Sequence, residues 1–96
     1  MRYLVESYLS AARRDEVPSV DARSRAATDE LVRAGAGLRF VETIFVPDDE
    51  MCLLVFEADT PELVREASRR AGVACERVLE ARTAGTGSTP PRGEQR

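Results

Sequence analysis

The 96-residue chain has no histidine, lysine or tryptophan, and all 14 of its basic residues are arginine. Without imidazole there is no Ser-His-Asp or Cys-His nucleophile pair, and no histidine to ligate a metal. The two cysteines, Cys52 and Cys75, are too few for a disulfide framework and lack the spacing of a zinc site, so they read as small buried hydrophobes in a reducing compartment. No apolar run approaches the roughly 18 to 20 residues of a membrane span. A net charge of −3 leaves no electrostatic footprint for nucleic acid. The glycine- and aromatic-rich strand signature of RNA-recognition domains is missing as well. Nucleic acid and membrane are therefore not expected partners. The opening "MRYLVESYL" enters structure at once without a signal-peptide cleavage pattern, which gives a cytoplasmic expectation. Abundant alanine and exclusive arginine are the coding bias of a GC-rich bacterial gene.

What is present is a short globular domain, with 43% hydrophobic and 32% charged residues. A first strand is predicted over "RYLVESYL", residues 2–9. "SAARRDEVP" follows as a connector with room for one helical turn. Ser19 is the expected N-cap of a helix reaching Ala34, with Val20, Ser24, Ala27, Leu31 and Ala34 on one stripe. Gly35 and Gly37 stop it. "LRFVETIFV", 38–46, and "MCLLVFEA", 51–58, form a hairpin across "PDDE". The acidic Asp48, Asp49 and Glu50 at its tip suggest either a solvated turn or a cation site, and no calcium-loop spacing follows. "DTPELVREASRRAG" is a second helix, capped by Thr60, with Pro61 in its first turn and Gly72 at its end. "ERVLEA", 76–81, is the last strand. Residues 82–96 carry no large apolar side chain and two prolines, which predicts a disordered tail after a single domain over residues 1–81.

Strand–helix–strand–strand–helix–strand is the ferredoxin-like α+β motif, with an antiparallel sheet of order 4-1-3-2 and both helices on one face. Cys52 and Cys75 then lie about two strand spacings apart, beyond the roughly 7 Å that a disulfide bridges. An even-length hairpin pairs position 44 with 53 and 42 with 55. Strict alternation places Leu38, Phe40, Glu42, Ile44, Met51, Leu53, Val55 and Glu57 on one face, joined by Leu4, Glu6 and Tyr8 and by Val78 and Glu80. The opposite face, with Cys52, Leu54 and Phe56, is assigned to the helices. One glutamate per strand is thus expected on an otherwise apolar, uncovered face. A second copy is the expected cover, giving a barrel-like homodimer with a shared interior. Glutamates enclosed there would have raised pKa values, whereas pairing with Arg2, Arg39 or Arg77 would make them structural.

"YLVESYL", "FVPDDEMCLLVFEA", "REASRRAG" and "ERVLEA", together spanning residues 2–81, resemble a family of small bacterial domains of unknown function that includes a nickel-binding protein. The resemblance implies a dimeric ferredoxin-like fold. The residues that match its pattern are Glu6, Cys52, Phe56 and Glu57. It implies imidazole ligands for nickel, which this chain lacks; its carboxylates suit magnesium, manganese or calcium better.

The sequence leads to two functional expectations. The first is a cofactor-independent enzyme of cyclase or isomerase type acting on a small apolar molecule, with Glu6 or Glu57 as acid or base and Tyr8 as hydrogen-bond donor. Leu4, Phe40, Glu42, Leu53, Val55 and Glu80 would line its cavity, with no metal ligand and no cofactor. The second is a protein that binds a small ligand or a metal ion without catalysis. Similar folds serve both ends.

Overall fold

A computed structural model describes residues 1–82 and Ala84. Four strands, β1 (Arg2–Tyr8), β2 (Leu38–Val46), β3 (Met51–Ala58) and β4 (Arg77–Ala81), form one antiparallel sheet of spatial order β2-β3-β1-β4. Helices α1 (Val17–Arg33) and α2 (Pro61–Ala71) pack together on one side of it. This is the ferredoxin-like arrangement expected from the order of elements. The proposed tail lies, apart from Arg82 and Ala84, outside the described residues.

Local chemistry accounts for most element ends. The Thr60 hydroxyl accepts from the Leu63 amide at 3.4 Å, Pro61 occupies the first turn, and Gly72 closes α2 in the left-handed region at φ 71°. α1 begins earlier than Ser19 would have it. Pro18 sits inside the first turn, where its missing N–H costs nothing, and a 3₁₀ segment over Ala11–Glu16 leads straight into it. The stripe of α1 buries Val20, Ser24, Ala27, Thr28 and Leu31, while Ala34 is exposed.

The core lies between sheet and helices. Val5, Leu54, Phe56, Val64 and Ala67 are fully buried, and the Phe40 and Phe56 rings meet edge to face at 5.2 Å between centroids. Cys52 is buried in this layer as expected, but Cys75, also expected to be buried, lies in the connection between α2 and β4 and is exposed; both are free thiols.

Small polar residues in the helix layer are of two kinds. The Ser68 hydroxyl donates to the Val64 carbonyl at 2.9 Å. The Ser24 hydroxyl is equally buried and has no partner among the described residues. A buried unpaired hydroxyl costs about 1–3 kcal/mol. Ser24→Ala is therefore expected to stabilise the domain by about 1 kcal/mol, read as a higher urea midpoint at unchanged slope, and Ser68→Ala by less. A lowered midpoint for Ser24→Ala would show that the hydroxyl is satisfied.

Two register features change which side chains share a face. The hairpin pairs Ile44 with Leu53 and Glu42 with Val55 as expected, but a bulge at Val41 then pairs Phe40 with Phe56 and Leu38 with Ala58. Leu38 and Phe40 therefore join the helix-covered core, and Arg39, opposite Glu57, turns to the open face. On β4, Arg77 pairs with Glu6 and Leu79 with Leu4, so Val78 and Glu80 point to the helix side and Arg77, Leu79 and Ala81 to the open one.

Candidate functional site

The open face is built from alternate residues of all four strands: Arg2, Leu4, Glu6 and Tyr8 on β1, Glu42 and Ile44 on β2, Met51, Leu53, Val55 and Glu57 on β3, and Arg77 and Leu79 on β4. Val55 is the one residue of this face that a single protomer buries almost completely, by the side chains around it. Leu4, Met51, Leu53 and Leu79 are partly exposed and Ile44 is 40% exposed. The helices cover none of it. It has an apolar floor, a charged row at one end and a second charged pair further along.

At one end, Glu57 sits in a row with Arg2 and Arg39 on the strands that flank it. Arg2 Nη2 donates to Glu57 Oε2 at 2.6 Å, and Arg39 donates from Nη2 to Oε1 at 2.8 Å. The Arg39 guanidinium first, then that of Arg2, holds the Glu57 carboxyl below its ordinary value. Two rows further along, Arg77 Nε donates to Glu6 Oε1 at 3.1 Å. Glu57 lies opposite Arg2, and Glu6 is four residues further along β1, a separation of about 13 Å along the strand. That is too far for the two carboxylates to act on one reacting centre.

Tyr8 is on the expected face but is 56% exposed, and its hydroxyl donates to Glu50 Oε1 at 3.1 Å, away from both glutamates. Glu50 itself was expected to be part of a solvated hairpin tip. It adopts a left-handed backbone at φ 49°, accepts the Ala11 amide on Oε2 at 3.1 Å, and accepts the Leu9 amide on its carbonyl at 2.9 Å. The Ala11 amide, followed by the Tyr8 hydroxyl, lowers its pKa, and the hydrogen bond to the Glu50 carboxylate raises that of Tyr8 in turn. Tyr8 and Glu50 thus pin the hairpin to the connector after β1. The signal in the sequence was the adjacency of the β1 end to the β3 start, which the strand order implies.

Of the residues expected to line a cavity, Leu4, Glu42, Leu53 and Val55 do lie on the open face, with Glu42 exposed. Phe40 does not: the Val41 bulge buries it to 7% exposure against Phe56, with the Arg25 guanidinium 4.9 Å from its ring centre. Glu80 does not either. The β4 register turns it from the open face, and Arg82 Nε donates to it at 2.7 Å. A cleft of about 380 Å³ lies instead between α1 and β2, lined by Arg25, Thr28, Asp29, Val32, Leu38, Arg39 and Phe40. No glutamate lines it, but Arg39, which pairs with Glu57, does.

Ion pairing of this kind is general in the molecule. On the solvent side of α2, Arg69 and Arg70 both bind Glu66 and lower its pKa to about 2. The Arg2–Glu57–Arg39 row follows the same chemistry. No helix among the described residues is long and apolar enough to cross a membrane.

A family model described as nickel responsive protein SCO4226-like matches residues 3–81. The crystal structure of SCO4226 from Streptomyces coelicolor A3(2) is similar in fold, with a TM-score of 0.72 at 13% identity, covering 88% of this chain and 99% of that one. No curated protein matches. The donor set here does not fit nickel. The chain has no histidine, and no group of three or more Cys, Asp or Glu among the described residues is placed to hold a metal ion.

Proposed function

The chain belongs to the SCO4226-like family of nickel-responsive proteins, and from that premise we propose that it is a homodimeric binding protein that holds a small, largely apolar molecule between two open sheet faces, without proton-transfer chemistry. One observation carries the reading: the uncovered face has an apolar floor of Leu4, Leu53, Val55 and Leu79, and its two central-strand carboxylates are already neutralised by arginines. A general acid or base at neutral pH needs a pKa moved towards 7. Glu57 is moved the other way. The same carboxylate–guanidinium groups suit orientation of a ligand and of a second copy. A face bearing both signs is complementary to itself across a twofold axis.

A carboxyl-carbon NMR titration of the full chain tests this. Glu57 is expected to titrate below the ordinary glutamate value of about 4.3 in the assembled protein. Because its folded pKa is depressed, its pair contributes stability that is fully present above the unfolded pKa. That contribution is lost as pH falls through the folded one. Glu57→Gln should therefore lose stability relative to wild type near neutrality, and the gap should close in acid while the association state stays the same. A Glu57 pKa above the ordinary value in the assembled protein would return the residue to acid–base chemistry and overturn the proposal.

A further inference from the structure

We infer that this member of a nickel-responsive family takes up no nickel itself, in one copy or between two. The inference goes beyond the binding role above and is independent of it. Nickel at protein sites is held by imidazole and thiolate more firmly than by carboxylates alone. Imidazole is missing from the entire sequence. A second copy brings the same residue types, so an interface cannot supply what one chain lacks.

The thiols do not replace it. Cys52 is 2% exposed and faces the helix layer, opposite Ser7 and Phe45 of the neighbouring strands. Burial pushes its thiol towards the protonated form, which is not a ligand. Cys75 is exposed but lies beyond α2, before β4, and no group of three donors including it forms among the described residues.

Two of the three open-face carboxylates are engaged; the third, Glu42, lies exposed on the edge strand β2 and belongs to no group of three metal donors among the described residues. Glu57 accepts from Arg2 and Arg39, and Glu6 from Arg77. Elsewhere Glu50 accepts from Ala11 and Tyr8, and Asp21 accepts from Arg25 and from the Thr43 hydroxyl. A dication entering at Glu57 must displace two guanidiniums and then sit beside their charge. Coulomb repulsion and lost hydrogen bonds both oppose it.

Calorimetric titration of the tag-free full chain with nickel chloride, in a buffer that does not chelate, decides the matter alongside a melting curve. No saturable heat at one metal per chain or per pair of chains, and an unmoved melting temperature, is the expected result. Weak heat that vanishes on adding salt also supports it, as diffuse attraction to an acidic protein. Stoichiometric binding at submicromolar metal would overturn the inference. A thiolate-to-nickel absorption band that disappears in Cys75→Ser would overturn it too and would place the site at sulfur. Both readouts follow metal on the chain whatever its association state, so a failure here is distinct from a failure of the dimeric binding role.

Discussion

Leu53→Asp is expected to separate the protein into monomers. Leu53 sits at the middle of the open face, opposite Glu6 on β1 and Ile44 on β2, and is partly exposed in a single protomer. In an isologous pairing of two such faces it is close to the axis. A carboxylate there would be buried without a cation of its own, since Arg77 is already paired with Glu6 and Arg2 and Arg39 with Glu57. An uncompensated buried charge costs about 3–5 kcal/mol, which weakens association by roughly a hundred- to several-thousand-fold. Within one protomer the same side chain points to solvent, so the fold should survive.

Sedimentation at micromolar concentration should therefore give about twice 10.6 kDa for the wild type and about 10.6 kDa for Leu53→Asp. Arg65→Asp, on the exposed side of α2, should leave the pair intact. A wild type that sediments as a monomer would remove the enclosed compartment, and with it the proposed binding role. A Leu53→Asp protein that still pairs would place the interface on another surface.

The elements of the fold were legible because each has local chemistry. Thr60, Pro61 and Gly72 delimit α2, and the alternation in "MCLLVFEA" marks β3. Strand order followed from the sequence of elements. Face assignment was legible only where alternation runs unbroken, so Leu4, Glu6, Leu53, Val55 and Glu57 were placed correctly. It failed on β2 beyond Val41, because a bulge adds one residue without any mark in the hydrophobic pattern: Leu38, Phe40 and Val41 are all apolar. On β4 it failed for another reason. The strand has five residues, Val78 and Leu79 are both apolar, and a one-residue shift exchanges them. The ion pairs belong to the same class of information. Arg2, Arg39 and Arg77 were visible as candidate partners, but only register shows that Arg2 and Arg39 flank Glu57 in one row.

Phe40 separates the two readings of β2 by experiment. Strict alternation puts its ring on the open face, where truncation to alanine would weaken ligand or partner binding and change stability little. The bulge puts it in the core, 7% exposed, with the Phe56 ring at 5.2 Å on one side and the Arg25 guanidinium at 4.9 Å on another. Phe→Ala in a packed core costs about 3–5 kcal/mol through lost transfer free energy and the cavity left behind. The edge-to-face pairing and the cation–π contact are lost with the ring. The whole stability of a domain this size is about 5–15 kcal/mol, so the variant should melt far below the wild type or fail to fold at 37 °C. Where Phe40→Ala stays folded at low temperature, it should still pair at the concentration at which Leu53→Asp does not. Phe40→Leu, which keeps most of the volume, should recover much of the melting temperature. A Phe40→Ala protein with wild-type stability and impaired association would return the ring to the open face and remove the bulge from the fold.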